Sequence, residues 1–193
     1  MRPRVLDHGY RRGTKLLFAM VRLFSGHPMP DAAKLVFYRP EFYGERAKAF
    51  THEAMRGPSD WSVADRELMA AYVSTVNDTA FCVGAHTATA SRAYGDSAKV
   101  AAALADPDTA PLEEGLRATL RMLGTLVREG TVTADDMRAV LSTGVTPRQI
   151  EDALAVCAAF DLTDHLADAF DFEVLDVEGF DAGAKFLLRR GYR

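Results

Sequence analysis

Apolar positions along this chain recur at spacings of three and four, and polar or Gly/Pro breaks cut the pattern into helix-length pieces. Leu16, Leu17, Met20, Leu23 and Phe24 share one face of a first helix, which Thr14 can cap and Gly26-His27-Pro28 ends. Asp31 caps a short second helix through Ala32, Leu35 and Val36. Arg39-Pro40 stops it, because the residue before a proline avoids the helical region. A third helix is expected over 41–55, with Phe42, Ala49 and Phe50 among its apolar positions. After the loop Arg56-Gly57-Pro58-Ser59, Ser62 caps a helix from Val63 to Val76, with Asp65 in an acidic first turn. That helix is apolar on most sides, which predicts burial, and a charged Glu67 within it then needs a partner.

The polar break Asn77-Asp78-Thr79 opens the next helix, from Thr79 to about Tyr94, which Gly95 ends. Its small residues Gly84, Ala85, Ala88, Ala90 and Ala93 permit close packing of neighbours. A short helix follows over Ser97–Leu104. Pro111 suits the first turn of a long helix that Gly130 closes, and Thr133 starts another over Ala134–Ser142. Thr146-Pro147 opens the last long helix, striped by Ile150, Ala153, Leu154, Cys157 and Phe160 and running to Phe170. Beyond it, Phe172–Val177 reads as extended and Lys185–Arg193 as a basic end. No alternating run is long enough to build a sheet. The expectation is an all-α single-domain bundle of seven to nine helices over residues 14–193, preceded by a flexible basic arm over 1–13.

Composition narrows the function classes. The 193 residues suffice for one core, and 48% hydrophobic with 26% charged is ordinary for a soluble globular protein. A net charge of −4 gives no general electrostatic reason for nucleic-acid binding, and the basic arm (Arg2, Arg4, Arg11, Arg12, Lys15) reads as a solvated tail. The apolar run Leu16–Phe24 is too short to span a membrane, carries Arg22, and is followed by no export cleavage site. Cys82 and Cys157 make no disulfide framework, so a reducing, cytoplasmic setting is expected. No Gly-rich phosphate loop implies an organic cofactor. His8, His27 and His52 have no partner pattern. Asp161, Asp164, His165 and Asp168 lie on consecutive turns and read as a solvated face rather than a metal site. Trp61 reads as an anchor for the loop before the helix of Glu67.

Candidate chemistry concentrates between Glu67 and His86. Cys82 and His86, four apart, share one helix face, and Cys82 falls in the first turn, where unpaired N–H groups favour a thiolate. A carboxylate, a thiol and an imidazole are the parts needed to form a thiolate and move a proton. The alternative is that Cys82 is simply a small buried hydrophobe.

The run RELMAAYVS followed by NDTAFCVGAH resembles the active-site segment of the alkylhydroperoxidase D-like branch of the carboxymuconolactone decarboxylase family. Members of that branch read E, about a dozen residues, then C-x-x-C-x-x-x-H. Glu67, Cys82 and His86 fall on this pattern, whereas Thr79 stands where the first cysteine would be, and Phe81 where some members carry a histidine. The resemblance extends from Tyr38 to Asp171 and includes YRPEFYG, RGPSDWSVADRE and ADPDTAPL. It implies an all-α fold with the site on a helical hairpin, and homo-oligomers, commonly trimers or larger. It also implies an antioxidant, peroxidase-like thiol oxidoreductase with Cys82 as nucleophile, Glu67 as base and His86 as relay. With Thr79 unable to close a disulfide, a small hydroperoxide and an external thiol or dithiol reductant become the expected partners. The same framework without thiol chemistry implies a lyase of the decarboxylase type or a ligand-binding helical oligomer. A lyase would need a cationic group, and the segment from Glu67 to His86 supplies none; Arg92 lies beyond it.

Overall fold

The computed structural model describes residues 6–192, the side chain of Phe42 excepted, so Arg2 and Arg4 of the expected arm lie outside it. Ten α-helices and no strand are found among the described residues. They are α1 (Arg12–Ser25), α2 (Asp31–Tyr38), α3 (Glu45–Arg56), α4 (Val63–Val76) and α5 (Ala80–Tyr94). Then come α6 (Ser97–Ala105), α7 (Glu114–Glu129), α8 (Ala134–Ser142), α9 (Pro147–Ala169) and α10 (Val177–Arg190). A five-residue π turn, Pro40–Gly44, feeds α3.

The helical hairpin α4–α5 is the centre of the fold. α4 is buried from Arg66 through Ser74, as its all-round apolar sequence requires. It packs against α3, α5, α7 and α9, while α5 packs against α6 and α10. Ser62 and Asp65 form a reciprocal capping box that fixes where α4 begins. Asn77-Asp78-Thr79 does more than start α5. It also closes α4, with Asp78 in the left-handed region (φ 58°), Asp78 N–H on Thr75 O and Thr79 N–H on Ser74 O. That pair of bonds satisfies two carbonyls the helix end would otherwise leave open.

The main core joins Leu68, Met69 and Val73 of α4 to Leu120 and Leu123 of α7 and to Val156 and Phe160 of α9. A smaller cluster joins Phe81 and Cys82 of α5 to Leu35, Ala167, Phe172 and Leu6. Leu6, within the stretch expected as an arm, is thus buried against the domain. Trp61 anchors its loop by donating Nε1–H to the Gln149 carbonyl at 2.8 Å.

Several boundaries differ from expectation. α1 begins at Arg12 with Arg11 as its N-cap, so Thr14 lies inside the helix, and Pro30 rather than Asp31 is the N-cap of α2. α3 begins at Glu45 rather than at residue 41, because Pro40–Gly44 forms the π turn. α7 begins at Glu114, with Pro111 in the preceding loop, where Leu112 N–H already bonds Ala110 O. The segment after Asp171 carries a whole further helix, α10, capped by Asp176 on Gly179 N–H. Gly179 and Gly183 lower its intrinsic helix preference, so the sequence reading found no helix there and packing on α5 has to hold it. Among the described residues, no helix is long and apolar enough to cross a membrane.

Candidate active site

Glu67 sits at the middle of α4 with no solvent exposure, and both carboxylate oxygens are engaged. Oε2 accepts from His86 Nδ1 at 2.8 Å. Oε1 accepts from Arg56 Nη2 at 2.5 Å and from Tyr192 Oη at 3.1 Å. Burial alone would push this carboxyl up. The hydrogen bond and charge of His86, with the Arg56 guanidinium, more than offset it and hold Glu67 below the ordinary carboxylate value.

His86 is buried on α5, its ring edge-on to Phe160 at 4.3 Å. With Nδ1–H committed to the Glu67 carboxylate, Nε2 is the ring atom left for a reacting group. Tyr192 stacks nearly parallel to His86, and the Arg56 guanidinium lies 5.1 Å from the Tyr192 ring centre. Arg56 also donates to Leu187 O at 3.2 Å, which ties α10 to the same cluster.

Cys82 lies one turn before His86 on α5, 1% exposed. Its surroundings reverse the expectation that a helix start would favour the thiolate. Burial pushes the thiol up, and the carboxylates of Asp164 and Asp168 push it further; only Ser74 acts the other way. Asp164 accepts two hydrogen bonds, from Ser74 Oγ at 2.9 Å and Asn77 Nδ2 at 2.9 Å. Thr79 occupies the N-cap position of α5, yet its hydroxyl donates not to the helix but to Asp168 Oδ2 at 3.0 Å.

The face read as solvated is therefore two-sided. His165 is exposed, as expected, and donates Nδ1–H to the Asp161 carbonyl at 2.6 Å. Asp164 is buried at 1% exposure and Asp168 reaches back to Thr79. Cys157 is a free thiol in the main core, pushed up to about 12 by burial and by Asp161 and Asp164. Arg92 is exposed and paired with Asp181 of α10.

The structure thus gathers Glu67 and His86 in direct contact, and Cys82 and Thr79 on the adjoining stretch of α5. Arg56, Asp164 and Tyr192 were missed in the sequence. Arg56 sits in a Gly/Pro loop signal at the end of α3, and nothing local marks Tyr192. Asp164 had one signal: it lies seven residues after Cys157 and four after Phe160, on the buried side of the same stripe.

An all-helical fold of the alkylhydroperoxidase D type, with a Glu–His pair and a cysteine on its central hairpin, defines the class. The chain superposes on an uncharacterized peroxidase-related protein from Silicibacter sp. TM1040 with a TM-score of 0.76, at 22% identity over 91% of each chain. It superposes on an uncharacterized peroxidase-related protein with an alkylhydroperoxidase AhpD core, from Ralstonia eutropha JMP134, with a TM-score of 0.74, at 18% identity over 95% of each chain. The debrominase Bmp8, solved as a cysteine-to-alanine variant with 2,3,4-tribromopyrrole, also aligns. Its TM-score is 0.70 at 14% identity, over 87% of this chain and 88% of that one. None of the functionally curated proteins matches the sequence. Residues 42–123, which hold Glu67, Cys82 and His86, match the model of the carboxymuconolactone decarboxylase family.

Proposed function

We propose that this protein is a one-cysteine, peroxidase-like thiol oxidoreductase in which Cys82 reduces a small hydroperoxide. The observation that carries this reading is the direct 2.8 Å contact of His86 with Glu67, one helical turn from the thiol. Sulfur attacks the distal oxygen of the hydroperoxide, the S–O bond forms as the O–O bond breaks, and the alkoxide takes a proton. The balance is Cys82–SH + ROOH → Cys82–SOH + ROH, with sulfur oxidised and the peroxide reduced. Glu67 fixes the tautomer of His86, so that Nε2 faces the reacting oxygen and carries the proton traffic. Thr79 cannot resolve the sulfenic acid, so an external thiol or dithiol reduces it. The exposed apolar face of α1 supports self-association of the chain as a homo-oligomer.

The test is exposure of the reduced protein to tert-butyl hydroperoxide with a sulfenic-acid trap, read by peptide mass. An adduct on the peptide of Cys82, absent in Cys82→Ser, is the expected result. No adduct at millimolar peroxide removes the reading.

One observation favours a second reading. Burial and two nearby carboxylates hold Cys82 as a neutral thiol, which suits a core residue in a non-redox family member, a lyase or a ligand-binding oligomer. On that reading Cys82 stays unlabelled by iodoacetamide in the folded protein at neutral pH, and carboxylate-bearing ligands raise the melting temperature. Labelling within minutes at pH 7 would count against it.

A further inference from the structure

A cavity of about 400 Å³ opens where α4, α7, α8 and the loop before α7 meet, and it shares no residue with the Glu67–His86 cluster. Small-molecule sites run from about 300 to 1,000 Å³. Three polar groups on this cavity are unclaimed. Tyr72 is 8% exposed, and its hydroxyl makes no hydrogen bond among the described residues, although a buried tyrosine hydroxyl usually finds a partner. Thr75, Thr89, Thr119 and Thr163 each donate back to a carbonyl of their own helix. Thr125 Oγ1, on the cavity, makes no such bond. Arg128 has neither an ion pair nor a hydrogen bond among the described residues.

These groups converge. Thr125 and Arg128 are three apart on α7, so they are neighbours on its surface. Gly124 lets the Tyr72 ring lie close beside them. A methyl group there would stand 2.9 Å from Tyr72 Oη and 3.1 Å from Arg128 Nη2. Hydroxyl and guanidinium thus approach one patch of α7 without bonding each other. We propose that this cavity binds a small hydroxylated organic anion, whose carboxylate or phosphate oxygens accept from Tyr72, Thr125 and Arg128. The site stands apart from the thiol chemistry and does not rest on it.

Charge around the cavity selects the anion and shapes the rest of the ligand. Each carboxylate on the cavity is already engaged. Asp108 pairs with Arg121, which also holds Glu114. Asp136 is bound in the capping box of α8. Asp106 accepts from Asp108 N–H at 3.0 Å and from Thr109 Oγ1 at 3.0 Å. Arg128 is the cation left over, and a guanidinium binds carboxylate or phosphate through two parallel N–H groups. The carboxylates of Asp106 and Asp108 keep lone pairs for hydroxyl donors and repel a second negative group. A body bearing hydroxyls therefore fits this wall better than a dianion of the dicarboxylate kind.

The experiment is calorimetric titration of the full chain at low ionic strength with D-glycerate, glycerol 3-phosphate and, as the neutral control, glycerol. Saturable binding of one or both anions is expected, with none of glycerol, and with affinity falling as sodium chloride is added. Whichever anion binds tighter names the head group. Tyr72→Phe and Arg128→Gln should each weaken binding about tenfold. Both remove groups that have no partner within the described protein, so the melting temperature without ligand should stay where it is. If Tyr72→Phe does not fold, Thr125→Val carries the same test. The proposal is overturned if neither anion binds at millimolar concentration, since the hydroxyls are then met by water alone. Glycerol binding as well as the anions would overturn it too, as would unchanged affinity in either variant.

Discussion

At the scale of single residues, the site is built from charges placed where water cannot screen them. Glu67 is compensated by Arg56 and His86, and removing one member of such a buried set leaves the other uncompensated. Glu67→Gln should therefore destabilise the fold by about 3 kcal/mol, read as a shift in urea midpoint at pH 7. The pH dependence has a definite sign. The Glu67 carboxyl is lower in the folded than in the unfolded chain, so its stabilisation is complete above the ordinary value of 4.5 and is lost as pH falls through its folded value. Asp164 acts in the opposite sense, raised on folding, with its contribution present below 3.8 and lost as pH rises through its folded value. Melting temperatures of the native protein should thus fall on acidification below about pH 4.5 more steeply than those of Glu67→Gln; parallel curves would show that the carboxylate is not the acid-labile contact. Glu67, Cys82 and His86 were legible because their spacing along two helices is a local property. Arg56, Asp164 and Tyr192 were not, because each comes into contact through tertiary packing over separations of 11, 90 and 125 residues for Arg56–Glu67, Ser74–Asp164 and Tyr192–Glu67.

At the scale of elements, the sequence marked helix limits well where a cap is local. Ser62 with Asp65, Thr133 with Asp136 and Thr146 with Gln149 all form the reciprocal box. It marked them poorly where packing decides. α10 is such a case, held on α5 by Phe180 lying over Gly84. A methyl group at Gly84 would sit 2.4 Å from ring carbons of Phe180, inside any tolerable contact. Gly84→Ala should therefore cost about 1–3 kcal/mol and lift α10 with its Tyr192 contact. Hydrogen exchange should quicken across Val177–Arg190 and leave α7 protected. Equal protection of α10 in both proteins would mean that Phe180 can turn aside without loss.

At the scale of the whole molecule, the all-α architecture followed from the three-and-four spacing alone, because no competing period is present. What the sequence could not tell is which faces stay uncovered. α1 buries no residue, and its stripe leaves Leu23 78% and Phe24 81% exposed. The self-association proposed above would place this patch between copies of the chain. Replacing Leu23 and Phe24 together by Glu should lower the mass measured by light scattering to that of one chain without changing helix content. A native protein that already runs as a single chain would remove the expectation of an oligomer.

The long sequence separations within the site also order events in time. Glu67 and His86 are 19 residues apart and can meet as soon as the α4–α5 hairpin leaves the ribosome. The bond from Ser74 to Asp164 spans 90 residues, and that from Tyr192 to Glu67 spans 125. At ordinary elongation rates the wait for Asp164 is roughly 5–20 s. Throughout that interval Cys82 has none of the carboxylates of α9 around it, and behaves as a common exposed thiol on a nascent chain. Oxidants present during synthesis therefore meet Cys82 before Asp164 and Asp168 stand near it.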